Sequence, residues 1–173
     1  VERTEMGVVR LPSQTIRQVP AFMGEVDILK VIATLPGVQS AGEGSSGFNV
    51  RGGGIDQNLI LMDEAPVYNA SHLMGFFSVF NNDVLKDISL YKGNIPAAYG
   101  GRLSSLLDVR VKEGDLQSFG GSGGIGSISS RLMLQGPILE DRVSFIAAGR
   151  RSYADVFLPL ANDPDIRDNR LFF

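Results

Sequence analysis

Short apolar runs, most of them alternating with polar residues, predict that this chain is built mainly from strands. A partly β-branched run at residues 5–11 predicts the first strand. Two runs, at residues 48–51 and 59–62, flank three consecutive glycines, which predicts two strands joined by a glycine corner. Residues 88–91 and 106–112 alternate and predict two further strands.

A sustained helical period occurs at one place. Four apolar residues there repeat at i, i+3, i+4 and i+7, namely Ile28, Val31, Ile32 and Leu35. Glu25 and Asp27 are expected in the first turn, where their charge suits the helix dipole, and Pro36 and Gly37 end the helix. A short helical turn is also predicted at residues 82–86. The sequence therefore predicts an α+β fold, a small mixed β-sheet with short helices packed against it.

Beyond the predicted sheet, the pattern changes to a long β-hairpin. Residues 128–135 and 143–150 alternate on either side of the turn sequence GPILED at residues 136–141. The glycine- and serine-rich residues 119–126 are interpreted as a flexible lead into this hairpin. A single hairpin has no covering face of its own, so we expect it to need further strands. Residues 66–82 have no sustained period and predict a structured loop.

The composition limits the function. The chain has 173 residues, enough for one domain with a core and an attached fragment. Its 16 basic and 19 acidic residues argue against a nucleic-acid partner. Cysteine is absent and His72 is the one histidine, which excludes Cys-ligated zinc and a multi-histidine metal site. We therefore expect no metal and no cofactor.

Sequence motifs of enzymes occur without the context that they need. Residues 121–126 match G-x-G-x-x-G, but that fingerprint requires a helix directly after it, and residues 127–135 alternate instead. The adjacent acids Asp63 and Glu64 would point to opposite faces of an extended chain, which favours a turn or a partner-facing role over a shared substrate. His72 has no neighbouring nucleophile and is interpreted as structural. We expect no enzymatic activity.

Two cations stand at positions that a partner could approach. Arg51 and Lys92 each end a predicted strand, and each is followed directly by glycine. Both readings stay open at this point: the two side chains are either solvated surface charges or ion-pair anchors for a partner.

Four motifs follow one another in order: LPGV at residues 35–38, FNVRGG at 48–53, LILMDEAPVY at 59–68 and VLKDISLYKGNIPAAYGGRLSSLLDV at 84–109. In order and spacing they resemble the plug domain of TonB-dependent outer-membrane transporters. The resemblance covers about residues 5–113, and the segment after Tyr68 is similar to a Bacteroidetes-like subset of that family.

This resemblance implies an architecture and a function. Residues 1–113 would form a globular plug inside a 22-stranded barrel, and residues 114–173 would be the glycine-rich hinge and the first barrel strands. The protein would lie in the outer membrane, with its plug inside the barrel and facing the periplasm. The plug would occlude the lumen and open on ligand binding and TonB-driven pulling.

The resemblance also implies the partners. They are the protein's own barrel, a small-molecule or oligomeric nutrient, and the TonB complex, which would grip a segment expected upstream of Val1. Because the predicted hairpin leaves strand edges unpaired, we also expect this fragment to associate with further copies of itself through its barrel strands.

Residue by residue, the resemblance assigns Arg51 and Lys92 to plug–barrel contacts. Arg51 falls on the arginine of the family's IRG motif and Lys92 on the arginine of its RGP motif. Lysine keeps the charge but loses the bidentate fork of arginine. Glu64 replaces the glycine of the family's LIDG motif, so we expect a different turn there. Structural turns are expected at Gly37, Gly52, Gly53, Gly93, Gly100 and Gly101.

A soluble adhesion or carbohydrate-binding module is the alternative function. In that protein, the exposed aromatic residues Tyr68, Phe76, Phe77 and Tyr99 would form the ligand face. The residues expected to face a ligand are Tyr68, His72, Phe76, Phe77 and Tyr99.

Overall fold

The computed structural model describes residues 7–17, 19, 26–42, 47–72, 77–126 and 129–153. The described residues up to Val111 form one compact unit, here unit 1, and those from Lys112 onward form a second, here unit 2. The elements in chain order are β1 (Val8–Pro12), α1 (Ser13–Arg17), α2 (Ile28–Ala33), β2 (Val38–Ser40), β3 (Phe48–Val50), a 3₁₀ turn (Ile55–Gln57), β4 (Asn58–Met62), β5 (Ala65–Pro66), β6 (Ser71–His72), β7 (Phe77–Ser78), β8 (Leu85–Tyr91), β9 (Ser105–Val111), β10 (Gly120–Ile125), β11 (Ser129–Leu139) and β12 (Val143–Ser152).

Unit 1 is organised around a five-stranded mixed sheet with strand order β1-β8-β9-β4-β5. The pairs β1 with β8, β8 with β9 and β4 with β5 are antiparallel, whereas β4 and β9 are parallel. Two short antiparallel pairs, β2 with β3 and β6 with β7, complete the unit. The mixed sheet with short helices that the sequence predicts is confirmed.

The hydrophobic core of unit 1 lies between the sheet and α2. The helix buries the apolar stripe that its period predicts, and β3 and the central strands supply the opposing side chains. Core members are Ile28, Leu29, Val31, Ile32, Phe48, Val50, Leu85, Ile88, Leu90, Leu107 and Val109. Full burial of such a side chain stabilises the fold by roughly 1.5–3 kcal/mol.

The helix begins later than its acidic residues suggest. Asp27 lies at the N-cap of α2 and not in the first turn, because its Oδ1 atom accepts hydrogen bonds from the amides of Leu29 (2.8 Å) and Lys30 (3.3 Å). Glu25 lies outside the described residues. At the other end, the helix stops at Ala33 with Thr34 as its C-cap, earlier than the predicted end at Pro36 and Gly37. Gly37, with a left-handed φ of 78°, lies in the turn that leads into β2.

The predicted helical turn at residues 82–86 is wrong. The Asn81 side chain accepts a hydrogen bond from the amide of Asp83 (3.0 Å), and the Asn81 carbonyl accepts one from Val84 (3.2 Å), so the chain makes one turn. At Leu85 it enters β8, because pairing with β9 supplies the backbone partners that a helix would otherwise provide. The structured loop predicted at residues 66–82 contains the β6–β7 pair, and residues 73–76 lie outside the described residues.

Unit 2 is a three-stranded antiparallel sheet with order β10-β11-β12. The predicted hairpin is β11 and β12, but the glycine-serine tract is not a flexible lead. It is the strand β10, since a glycine backbone donates and accepts ladder hydrogen bonds without needing a side chain. Among the helices of the described residues, none combines the length and apolar character needed to cross a membrane.

Candidate functional site

The candidate site is built on a tight turn that places Arg51 at the end of β3. The amide of Gly53 donates to the carbonyl of Val50 over 2.9 Å, and both central residues have positive φ, 50° for Arg51 and 82° for Gly52. Two positive φ values are the signature of a type I′ turn. Glycine adopts this conformation freely, whereas an arginine in the left-handed region is uncommon.

The Arg51 side chain lies against glycines from two other segments. Its Nη1 atom is 3.1 Å from the position that a Cβ atom of Gly93 would occupy, and its Nη2 atom is 4.0 Å from the corresponding position of Gly7. Its backbone amide donates to the carbonyl of Gly37 over 3.0 Å. The absence of a side chain at Gly93 therefore leaves the space that the guanidinium fills.

Lys92 reaches the same place from β8. Its Nζ atom donates to the carbonyl of Pro36 over 2.9 Å, and its amide donates to the carbonyl of Gly7 over 2.8 Å. Arg51 and Lys92 thus hold two successive peptide carbonyls, those of Pro36 and Gly37. We call the group formed by Gly7, Gly37, Arg51, Lys92 and Gly93 the cation corner.

The positive charge of the cation corner is not neutralised within the part of the chain that the structure describes. There, no carboxylate forms an ion pair with Arg51 or Lys92. Arg51 is exposed and Lys92 is half-buried. The corner therefore presents two cations to an approaching anion.

The structural reason for a glycine differs among the three remaining predicted turn positions, Gly53, Gly100 and Gly101. A Cβ atom at Gly53 would lie 2.5 Å from that of Ser104, so a side chain is excluded there by close approach. Gly101 has a φ of 87°. At Gly100, an added Cβ would meet nothing within 4 Å and φ is not left-handed, so the structure gives no steric reason for glycine at that position.

Sequence reasoning missed a buried polar network beside the Arg51 turn. The Nδ2 atom of Asn58 donates to the carbonyls of Phe48 (2.6 Å) and Ile55 (3.3 Å), and its Oδ1 atom accepts from the Ser105 hydroxyl over 2.6 Å. The Ser104 hydroxyl donates to the Val50 carbonyl over 2.9 Å. No local pattern marks Asn58, because it begins an apolar strand and its side-chain partner Ser105 is distant in the sequence.

A pocket of about 250 Å³ opens beside this network. Its lining includes Phe48, Ile55, Asp56, Tyr68, Asn69 and Arg102. Tyr68 is 87% exposed, so its ring stands at the mouth of the pocket. An exposed ring, an amide and charges of both signs can bind a polar organic molecule by stacking and hydrogen bonds. We call this cavity the Tyr68 pocket.

Among the other residues that were expected to face a ligand, only Tyr99 has a described side chain to compare with the Tyr68 pocket. Tyr99 is half-buried and does not line it; the Tyr99 amide closes a turn by donating to the Pro96 carbonyl over 2.9 Å. The backbones of His72 and Phe77 pair with each other. The side chains of these two residues, and the whole of Phe76, lie outside the described residues.

The adjacent acids form a turn, as the sequence predicts. Asp63 and Glu64 connect β4 to β5 with φ values of 46° and 71°. The Asp63 carboxylate accepts from the amide of Val111 over 3.0 Å, and Glu64 lies 3.4 Å from Arg110. The hydrogen bond and charge of Asp108, aided by Glu64, raise the pKa of Arg110. Within the described residues, no group of three or more acids or histidines could hold a metal ion.

Comparison with known proteins agrees with this architecture. Residues 5–105 match the TonB-dependent receptor plug domain. No curated protein sequence matches the chain significantly.

Solved structures of receptors share the fold. The ferric enterobactin receptor PfeA of Pseudomonas aeruginosa is 21% identical with a TM-score of 0.62, over 85% of this chain and 24% of the receptor. The siderophore receptor PirA of the same organism is 23% identical with a TM-score of 0.62, over 86% and 27%. The outer membrane transporter YddB of Escherichia coli is 17% identical with a TM-score of 0.60, over 84% and 26%.

This chain spans about a quarter of the length of those receptors. The match to the plug domain covers more than half of the chain, in the part that forms the mixed sheet and the cation corner. The chain therefore belongs to the family of TonB-dependent receptor plug domains.

Proposed function

We propose that this chain is the gate of an outer-membrane transporter. Residues 1–113 would act as the plug, and residues 114–173 as the hinge and the first strands of the barrel around it. The plug would occlude the barrel lumen from the periplasmic side and open when a ligand binds and the TonB complex pulls on a segment upstream. The match of residues 5–105 to the plug family carries this proposal. The proposed role is transport and involves no reaction chemistry.

The two faces of the sheet in unit 2 support a position in a barrel wall. Ile125, Leu132 and Leu134 lie on one face and are 90%, 57% and 50% exposed. The alternate positions of the same strands carry the half-buried Ser122, Arg131 and Gln135 together with the buried Met133, so that face is mixed. An exposed apolar face suits strands that turn one side to lipid in a barrel wall.

The cation corner would be where the plug is held against the wall. Two cations without a carboxylate partner in the described part of the chain suit an ion pair with acids on the barrel. Placing Arg51 in the left-handed region costs roughly 1–2 kcal/mol, and strain of this kind is typical of functional positions.

The Tyr68 pocket would be a part of the plug that contacts the nutrient. Its exposed ring and mixed polar rim suit a small molecule or one unit of an oligomer. The alternative adhesion or carbohydrate-binding module needs a shared aromatic face. Of the four aromatic residues proposed for that face, Tyr68 lines the pocket and Tyr99 does not, while Phe76 and the side chain of Phe77 lie outside the described residues.

The experiment that tests this function uses the full-length receptor. The double variant Arg51→Ala/Lys92→Ala should increase leakage of ions through the receptor in planar bilayers and speed hydrogen exchange in the plug. Lys86→Ala is the matched control, because Lys86 is an exposed lysine on β8, the strand that ends directly before Lys92. Unchanged leakage, hydrogen exchange and nutrient uptake in the double variant would refute the contact.

The fragment itself should associate through its barrel strands. The outer edges of β10 and β12 have no strand partner within the described sheet, and exposed edges pair readily with other chains. Light scattering on the 173-residue chain should show species larger than a monomer, and truncation after residue 113 should abolish them. A strictly monomeric chain with a protected tail would contradict this expectation.

A further inference from the structure

The residues directly before the glycine-rich strand β10 are fixed to one end of the unit 2 sheet. We call residues 114–119 the Asp115 loop. A Cβ atom at Gly114 would overlap the backbone carbonyl of Phe145, so the loop begins directly against β12. The carbonyl of Leu116 then accepts a hydrogen bond from the amide of Asp141 over 3.2 Å, in the turn between β11 and β12. The Asp115 loop therefore runs from β12, past that turn, to the start of β10.

The conformation of the Asp115 loop is set by its own side chains. The Asp115 carboxylate accepts hydrogen bonds from the amides of Gln117 (2.8 Å) and Ser118 (3.1 Å), and from the Ser118 hydroxyl over 2.8 Å. An aspartate that bonds to the backbone two residues further on forms an Asx turn. The Nε2 atom of Gln117 also donates to the Asp141 carboxylate over 3.5 Å. The loop is thus held both internally and to the turn between β11 and β12.

Phe119, the last residue of the Asp115 loop, covers a glycine of the neighbouring strand. A Cβ atom at Gly136 would overlap the Phe119 ring. The centroid of that ring lies 6.3 Å from the centroid of the Phe145 ring, with 55° between the planes, which is a favourable arrangement for two aromatic rings. Gly136 is opposite Phe145, and Gly120 is opposite Gln135. Phe119, Gly136 and Phe145 therefore form one row across the three strands.

β10 itself does little to specify its register on β11. Four of its six residues are glycine, in the sequence GGSGGI. Register is normally fixed by side chains that must face the correct side of a sheet, so glycine-rich strands are prone to slip. A slip by two residues keeps every β10 residue on its present face, and the strand alone opposes it weakly. The register of β10 therefore needs a constraint from outside the strand.

We propose that the Asp115 loop is a register lock for β10. After a slip by two residues, Leu134 or Ile138 would stand in place of Gly136, and their side chains would occupy the space of the Phe119 ring. The hydrogen bond between Leu116 and Asp141 opposes the same movement, because it ties the loop to a fixed turn.

The consequence of this lock for a barrel rests on the proposed function. In a closed barrel the number, tilt and stagger of the strands are linked, so a slipped first strand would change how the wall closes. The lock itself concerns the contacts of unit 2 alone.

The test measures the register of β10 by disulfide formation in the full-length receptor. Ser122 lies directly opposite Met133 and diagonal to Arg131 and Gln135. A disulfide needs Cβ atoms about 4 Å apart, which suits opposite residues at about 5 Å and not diagonal ones at about 7 Å. The native reporter is Ser122→Cys/Met133→Cys, and the slip reporters are Ser122→Cys/Arg131→Cys and Ser122→Cys/Gln135→Cys. This chain has no cysteine of its own, and any cysteine elsewhere in the receptor is replaced by serine.

Phe119→Ala should raise the ratio of slip to native crosslinking by roughly 2- to 10-fold, the change that the loss of one aromatic pair implies. Leu132→Ala is the matched control, because Leu132 is an exposed apolar residue of β11 that lies opposite Gly123, away from the Asp115 loop. The control and Phe119→Tyr, which keeps the ring, should leave the ratio unchanged. A ratio that Phe119→Ala does not change, or that Leu132→Ala changes equally, would overturn the register lock.

Two further measurements keep the outcomes distinct. If the alanine variant does not assemble, Phe119→Leu keeps an apolar side chain without the flat ring and should give an intermediate ratio. A ratio equal to that of the native receptor would then overturn the lock. Barrel assembly is followed separately, by the change in electrophoretic mobility on heating. A native receptor without that change would refute the proposed function, while the crosslinking ratio would still decide the register lock.

Discussion

The guanidinium of Arg51 packs against the backbone of Gly93, with its Nη1 atom 3.1 Å from the position that a Cβ atom of residue 93 would occupy. Arg51 directly follows β3, and Gly93 lies two residues after the end of β8, so each stands where the chain leaves a strand. Because Gly93 directly follows Lys92, this contact brings the two predicted cations, Arg51 and Lys92, together in one site.

Replacing Arg51 by glycine should separate stability from function. A left-handed φ costs an L-residue roughly 1–2 kcal/mol, and Arg51→Gly relieves that cost. Because the variant also loses the contacts of the arginine side chain, the net rise in the free energy of unfolding should be about 1 kcal/mol. In the full-length receptor the same variant should leak ions. Denaturant titration and bilayer conductance measure the two effects. Arg102→Gly is the control, since Arg102 is exposed without a positive φ, and it should gain no stability.

Asp27 should contribute more to the free energy of unfolding than an ordinary helix N-cap does. Besides capping α2, its Oδ2 atom accepts the amide of Ser78 over 2.5 Å, which ties the helix to β7. Asp27→Ala removes the carboxylate that accepts these hydrogen bonds and should lower the free energy of unfolding by roughly 2–3 kcal/mol. Thr34→Ala, which removes one exposed hydroxyl at the other end of the helix, should cost less than about 1 kcal/mol. Equal losses in thermal unfolding for the two variants would contradict this role.

Asn58 and Ser105 should be energetically coupled. Each single alanine variant leaves the other polar side chain buried without its partner, which costs roughly 1–3 kcal/mol. The double variant should therefore lose less stability than the two single variants together, by about 1 kcal/mol. A double-mutant cycle in denaturant measures this difference. Strict additivity would mean that the 2.6 Å hydrogen bond contributes nothing.

The turn that begins at Asp115 should depend on pH. The amide of Gln117, then the hydroxyl and amide of Ser118, donate to the Asp115 carboxylate and lower its pKa. A lowered folded-state pKa means that the turn is stabilised above the unfolded-state pKa and that this stabilisation is lost as pH falls through the folded-state value. Carboxyl NMR titration should give a pKa below that of a free aspartate. Asp115→Asn should remove the pH dependence of the protection factor of the Gln117 amide, and an Asp115 that titrates at the ordinary value would refute the turn.

Local patterns were enough for much of the fold. The stripe from Ile28 to Ile32 specified α2, because its period can be satisfied by one buried helix face. Alternation specified β9, β11 and β12 in the same way. Residues 82–86 were predicted as a helical turn but form a turn and the start of β8. The cause lies outside those residues, because β9 provides the pairing partners of β8.

The amino-acid order thus determined α2 and most of the strands, and which cations follow a strand and precede a glycine, since both depend on neighbours along the chain. Folding in three dimensions settled what the residues do together. It made a strand of the glycine-rich residues 120–125, gave Asn58 its partners, and brought Gly7, Arg51 and Lys92 to one corner. These contacts join positions far apart in the chain, and no local propensity or period encodes a distance across the sheet.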